Sequence, residues 1–361
     1  MQLYEFEAKA MLARHGVRVP RGGLWPQVPA GLRYPAAVKA QTLAGGRGRR
    51  GGVRQVESPA GVGDAVAAVQ RMRFDGEPVA EVLVEEWIET EREFYLALTI
   101  DRTRSSPLLL ASAKGGMEVE DAGDLCRLPI DPWIAPRAHH IRRLGALYGL
   151  EAERVAAVVE GAWKAFCALD ALLVEINPLG VDRGELIALD ARIFVDDNAG
   201  YRHPDWPAAR GGTPFERGCA GLGATAVEME DGDVALITSG AGLGMASLDL
   251  LVAMGGRPRV LVDLGPVVFQ QPEKIAQLIE LLAALRPRVI LFNFFLQLAA
   301  CDRLAQGLSA GLVHLPSDAK MVVRMKGVRS DEARAILAPA GIPLYDDLAE
   351  GFRAAIAATG A

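Results

Sequence analysis

Cysteine is scarce in this 361-residue chain. Cys126, Cys167, Cys219 and Cys301 lie far apart, with no C-x-x-C pair and no histidine at ligand spacing. That excludes a disulfide framework and an ordinary structural zinc centre. The four read as small buried side chains of a reducing compartment. Histidine is nearly as rare: His15, His139, His140, His203 and His314 are the five, and none sits in a Ser/His/Asp-like setting. His139 and His140 fall in a helical stretch beside arginines and read as a solvated face. A basic excess is also missing. Lys and Arg number 39 against 45 Asp and Glu, a net charge of -6, which argues against a general nucleic-acid binder. No window of about twenty apolar residues is present, so no membrane span is expected. The start, "MQLYEFEAKAML", carries Glu5, Glu7 and Lys9 where a secretory leader needs an apolar run. A cytoplasmic protein is the expectation.

What is present is a chain that can build a core. Half of it is hydrophobic and 23% is charged, and its length suits two or three domains. Its character changes near residue 230. Before that point, "EVLVEEWI", "EFYLALTID" and "SPLLLASAK" follow one another closely and suggest an antiparallel meander. "ALLVEINPLGV", "DRG" and "ELIALDARIFV" read as a hairpin turning at Asp182–Gly184. "HHIRRLGALYGL" and "AERVAAVVEGAWKAFCAL" have helical periodicity. After it, "VALITSG", "RVLVDLG", "VILFNFF", "KMVVRMKG" and "IPLY" alternate with helical segments, implying a parallel sheet covered on both faces. Ligands of such sheets sit at the carboxyl ends of the strands. Between the halves, "GYRHPDWPAARGGTPFERGCAGLGAT" reads as a connector.

Four stretches carry candidate chemistry. In "VKAQTLAGGRGRRGGV" a strand runs into glycines that let backbone N–H groups approach a phosphate, with Lys39 and Arg47 adding charge. An exposed basic hairpin tip accounts for this stretch equally well. In "VEINPLGVDRGELIALDARI", Glu175 and Asn177 are two apart on one strand face, and Asp190 returns toward them across the turn. Two oxygen ligands plus nucleotide phosphates suit Mg²⁺. Glu85 and Glu93 bracket a short connection in "LVEEWIETEREFYLAL" and offer acceptors to a nucleoside, or simply form a solvated acidic loop. "ITSGAGLGMASLDLL" places a G-x-G-x-G pattern between a strand and a helix, as an anion loop or as tight turn packing.

In order, "LYEFEAKAMLARHGV", "VKAQTLAGGRGRRGGV", "LVEEWIETEREFYLAL", "ASAKGGMEVED", "VEINPL", "LDARIFVDDNAGYRHPD", "SGAGLGMASLD", "CDRLAQGL" and "KMVVRMKG" resemble the β subunit of ADP-forming carboxylate–CoA ligases, the succinyl-CoA synthetase and malate–CoA ligase family. The resemblance covers nearly the whole chain. It implies an α/β fold: an ATP-grasp domain over residues 1–228, then a flavodoxin-like, doubly wound domain over 229–361. It implies that Mg-ATP phosphorylates a histidine on a separate α subunit, that the phosphoryl passes to a carboxylic acid, and that CoA displaces it. CoA would be held mainly by that partner, in an αβ or α2β2 heteromer. Carried over by position, Lys39, Gly46, Arg47, Gly48, Glu85, Ile88 and Glu93 would bind ATP. Asn177 and Asp190 would bind Mg²⁺, and Glu175 would steady the partner's histidine. Ser239, Gln297, Leu298 and Ala299 would meet the acid.

The chain departs from the family pattern. Arg49 and Arg50 follow the "GGRG" turn where a single Lys is usual, Leu43 replaces a His, and Arg192 replaces a Lys. In the second half Ser239 replaces an Asn, and two glycine loops have become "GPVV", residues 265–268, and "LQL", Leu296–Leu298. Losing glycine N–H turns points to a bulkier or less anionic acid, or to a weakened site. Two other readings are a regulatory paralogue that binds ATP and the α subunit without turnover, and a different ATP-grasp ligase of the carboxylase kind.

Overall fold

Within Ala36–Gln41, alternate residues are apolar, so Ala36, Val38 and Ala40 enter one core while Lys39 and Gln41 point to the opposite face. All six are buried, because both faces of this strand are covered. The computed structural model describes residues 1–116, 125–207, 210, 212–266, 268 and 271–360. Part of two motifs, residues 117–121 and Val267, lies outside them. The chain divides into two compact units, Met1–Arg210 and Gly211–Ala361.

In the first unit, helix α1 is Glu5–Arg14 and the first strands are β1 Gly22–Leu24, β2 Ala36–Gln41 and β3 Val53–Val56. Helix α2, Val62–Gln70, then precedes a two-strand ribbon of β4 Arg73–Phe74 and β5 Glu77–Pro78, and β6 Glu81–Glu86 follows. The first sheet has the order β1-β6-β2-β3 and is antiparallel throughout. The second sheet holds β7 Glu93–Asp101, β8 Ser106–Ser112, β9 Cys126–Pro129, β10 Ala171–Asp182, β11 Glu185–Ala188 and β12 Ala191–Val195. Its order is β11-β10-β7-β8-β9, with β12 also on β10. Helices α3 Ala138–Tyr148 and α4 Ala152–Ala168 pack their apolar stripes on it, through Leu144, Tyr148, Val155, Val159 and Ala165.

Three sequence expectations change here. The meander holds for β7 and β8, but β6 leaves it and pairs with β2, because Val82 and Val84 share a core with Val66 and Val69 of α2. His140 is buried rather than solvated. Its Nδ1 accepts from Arg137 N–H and its Nε2 bonds Pro129 O, both at 3.0 Å, so it caps α3. The expected hairpin turns at Arg183 and Gly184, both at positive φ (53° and 82°). Its return arm is split, however. Pro178 has no N–H and sits where the β10 register shifts, so β11 and β12 flank a break at Leu189–Asp190.

The second compact unit runs from Gly211 to Ala361. Within the presumed connector, Pro214–Leu222 is a helix held by a capping box: Thr213 Oγ1 accepts from Glu216 N–H, and Glu216 Oε2 from Thr213 N–H. β13, Ala224–Glu228, then joins the third sheet antiparallel to the strand Pro258–Leu264. β14 Val234–Thr238, β15 Pro258–Leu264, β16 Val289–Leu296, β17 Lys320–Gly327 and β18 Leu344–Tyr345 are parallel. Their order is β15-β14-β16-β17-β18, the flavodoxin-like 2-1-3-4-5 arrangement. Among the described residues, no helix is long and apolar enough to cross a membrane.

Candidate active site

The glycine-rich stretch follows β2 directly. Gly46 sits at φ 68° with nothing within 4 Å of where a Cβ would stand, so backbone conformation, not crowding, calls for glycine there. The turn closes through Gly52 N–H to Arg47 O at 2.8 Å, which sends the Arg47 side chain back over β2. There its Nη1 donates to Ala40 O at 2.8 Å, and its Nη2 reaches Glu5 at 2.5 Å and Asp190 at 2.8 Å.

Opposite the turn stands the break in the second sheet. Asp190 lies outside both flanking ladders, and its backbone O accepts from Asn177 N–H at 3.2 Å. Its Oδ1 accepts from Ala191 N–H at 2.8 Å. The Asn177 amide pairs with one backbone unit: Oδ1 accepts from Gly116 N–H at 2.6 Å and Nδ2 donates to Gly116 O at 3.2 Å. Glu175 lies two residues before it on the same face of β10. Residues Thr42–Arg47, Glu5, Glu175, Asn177, Asp190 and Arg192 thus surround a cavity of about 230 Å³.

Behind this wall lies a buried ion network. Glu5 meets Lys9 at 2.8 Å, Lys39 at 3.0 Å and Arg47, and accepts from Gln41 Nε2 at 3.2 Å. Glu85 meets Lys9 at 2.7 Å and Lys39 at 2.6 Å. Lys9, Lys39 and Arg47 therefore balance Glu5, Glu85 and Asp190. Burial alone would push the Glu5 carboxyl up, but Lys39, Lys9 and Arg47 together hold it well below the usual carboxylate range. Burial works against the charge of Lys39 and Arg47 too, and the facing carboxylates outweigh it, so both hold their protons more tightly than usual. Asp190 is shifted the other way, upward, by burial and by the charge of Glu5. Tyr95 is pushed up to about 12 by burial and by the charge of Glu175.

Gly46, Arg47, Glu175, Asn177 and Asp190 are brought together around the cavity. Lys39 and Glu85 do not line it; they form the network behind. Gly48 is exposed in the turn, Ile88 is half-buried, and Glu93 is exposed at the start of β7, where it accepts from Thr90 Oγ1. Glu5 and Lys9 were absent from the sequence candidates. Their signal is a Glu–Lys pair four apart, flanked by Ala8 and Leu12, on the buried face of α1.

A second cavity, about 840 Å³, lies in the second unit at the carboxyl ends of β14, β15 and β16. Ser239, Gln297, Leu298 and Ala299 all line it. The anion-loop candidate ends there too, since Gly240 precedes the helix Ala241–Ala253 and its N–H donates to Asp263 Oδ1 at 2.6 Å.

Comparison with known proteins agrees with this division. The family described as ATP-grasp domain matches residues 2–181, and the family described as CoA-ligase matches residues 237–358. The chain is 36% identical to the succinate–CoA ligase [ADP-forming] subunit beta of Pyrobaculum aerophilum over 99% of each chain. It is 35% identical to that of Ignicoccus hospitalis over 99% of this chain and 98% of the relative, and 33% identical to that of Chloroflexus aurantiacus over 99% of each. The ATP citrate lyase of Methanothrix soehngenii, solved in complex with citrate and coenzyme A, shares the fold: TM-score 0.72 over 95% of each chain at 16% identity. The chain belongs to the family of ADP-forming succinate–CoA ligase β subunits, built from an ATP-grasp and a CoA-ligase domain.

Proposed function

We propose that this chain is the nucleotide-binding β subunit of a cytoplasmic carboxylate–CoA ligase, assembled with an α subunit as αβ or its dimer. The acid is succinate, malate or a related carboxylic acid. The observation that carries the reading is the convergence of the Thr42–Arg47 turn with Glu175, Asn177 and Asp190 on one cavity. Backbone N–H groups and a guanidinium on one wall suit phosphate oxygens; oxygen donors on the other suit a hard cation.

In this reading Gly46, Arg47 and Gly48 hold the polyphosphate of ATP, and Lys39 adds positive field from behind. Ile88 and Glu93 hold the nucleoside, while Glu85, buried and paired with Lys9 and Lys39, acts from behind as their counter-charge. The donor set fits Mg²⁺: a carboxylate and an amide oxygen are hard ligands. Among the described residues no cluster of three or more His, Cys, Asp or Glu is set to hold a metal, so most of the ion's shell would come from nucleotide and water. Asn177 and Asp190 would hold it, and when bound it neutralises charge on the transferring phosphoryl group. Glu175 accepts a hydrogen bond from the partner's histidine and orients the other ring nitrogen toward the γ-phosphorus. That nitrogen bonds to phosphorus as the bond to the β–γ bridging oxygen breaks and ADP leaves. An acid carboxylate oxygen then takes the phosphoryl group from the histidine. The thiolate of CoA, held mainly by the α subunit, attacks the acyl carbon and expels inorganic phosphate.

The test is incubation of the copurified complex with γ-labelled ATP and Mg²⁺. Acid-labile, base-stable label on an α-subunit histidine is expected. Absence of Mg²⁺-dependent nucleotide binding, by the chain alone and with its partner, would falsify the reading.

A further inference from the structure

The second cavity sits where the strand order 2-1-3-4-5 reverses, between the carboxyl ends of β14 and β16, the place where open α/β sheets take ligands. Its charge content is low. The segments that reach it, 239–247, 263–266 and 294–303, hold one cation, Arg303, and two carboxylates, Asp263 and Asp302. Asp302 is taken by Arg329 at 2.9 Å. Asp263 already accepts from Gly240 N–H. Arg303 lines the cavity and forms no ion pair among the described residues. The remaining lining is mostly apolar. Phe295 and Leu298, at 50% and 101% exposure, stand open at its edge with Leu296, Pro266 and Ala299 beside them.

One cation anchors one carboxylate. A second carboxylate on the same ligand would meet no second cation among the described residues: besides Asp263 and the Phe295–Leu298 wall, the side chains lining the cavity offer only the neutral polar groups of Ser239 and Gln297, and an anion without a charged partner on a largely apolar surface is unfavourable. The loop Gln297–Ala300 adds no anion nest, since none of its residues has positive φ. We infer that the acid activated by this enzyme carries a single carboxylate, held by Arg303, on an uncharged and largely apolar body that rests against Phe295, Leu296 and Leu298. This rests on the ligase reading above and narrows its acid from dicarboxylates to apolar monocarboxylates.

The test uses the αβ complex and two separable readouts. Labelled phosphoryl transfer from ATP to the partner's histidine reports the ligase reading and needs no acid. Acid recognition is measured by CoA-dependent ADP release and by saturation-transfer NMR with succinate, malate, butanoate, 3-methylbutanoate and phenylacetate. Butanoate or its larger analogues should exceed succinate by roughly 10- to 100-fold in kcat/KM. Arg303→Gln should raise KM for the preferred monocarboxylate about tenfold or more. Leu298→Lys, at a fully exposed position that tolerates change, should move preference toward succinate by about tenfold. Phosphorylation with succinate or malate preferred by the parent complex overturns the inference and leaves the ligase reading intact. If phosphoryl transfer fails, NMR still decides: Arg303-dependent binding of the monocarboxylates supports the inference, and equal, succinate-favoured or absent binding overturns it.

Discussion

Around the cavity of the first unit, Lys9, Lys39 and Arg47 face Glu5, Glu85 and Asp190; around that of the second, Arg303 and Asp263 are set in a wall of leucine, phenylalanine and alanine. A site for a polyphosphate must hold several cations close together before the ligand arrives. Left alone, they would repel one another and resist burial. Glu5 and Glu85 hold Lys39 in place, and Glu5 and Asp190 hold Arg47. The arrangement has a cost: each member of a buried network depends on every other. The second cavity has no such dependence. Phe295 and Leu298 at its lip are exposed, and Arg303, the one cation lining it among the described residues, stands in the first turn of a surface helix, so it can change ligand without endangering the fold.

That contrast can be broken in graded ways. The largest effect belongs to Asp190→Ala, which removes an expected metal ligand and a counter-ion of Arg47. Phosphoryl transfer to the partner should fall by about 10³-fold or more, and calorimetry should find Mg²⁺-dependent nucleotide binding lost. Nucleotide affinity within threefold of the parent would remove Asp190 from the site.

Glu5→Gln comes next. It leaves Lys39 and Arg47 less restrained in a buried setting and should lower unfolding free energy by about 3–5 kcal/mol in urea titration. Nucleotide should bind about tenfold more weakly. Tighter binding would show instead that Glu5 competes with phosphate for the two cations.

The pH dependence is smaller and signed. Glu5 titrates below its ordinary value of 4.5 when folded. Its contribution is present above pH 4.5 and is lost as pH falls through the folded value. Lys39 holds its proton above its ordinary 10.5, so its contribution is complete below pH 10.5 and declines above. The contribution of these two groups to the stability of the first unit should therefore be level between these limits and fall on both sides, with the upward-shifted Asp190 opposing the acid limb, and Glu5→Gln should flatten that limb. An unchanged acid limb would separate Glu5 from that dependence. The smallest effect is expected at the lip of the second cavity, where Leu298→Ser should shift unfolding free energy by no more than about 0.5 kcal/mol.

Much of this was legible in the residues, for reasons that differ by element. The parallel half is readable because its strands are buried on both faces and appear as continuous apolar runs, as in "VILFNFF". The Asp182–Gly184 turn is readable because it ends in glycine, the residue that takes positive φ most readily, between two apolar runs. The helix at Pro214–Leu222 was hidden by the glycines and prolines around it, although "TPFE" is a capping box in plain view. The departure of β6 from the meander was not readable, since Val82 and Val84 would satisfy either sheet.

By itself the sequence determined most of the strands and helices, though not the helix Pro214–Leu222, and the residue types gathered at 39–48 and 175–190. Periodicity and backbone preference act over a few residues, and that range reaches those features. Only the tertiary structure decided that Glu5 and Lys9 meet Glu85 and Lys39, that Asp190 stands clear of its ladders opposite Asn177, and that Arg303 is, among the described residues, the one cation lining its cavity. Those relations join residues far apart in the chain, and charge balance in a buried space is a property of the space, which no local pattern contains.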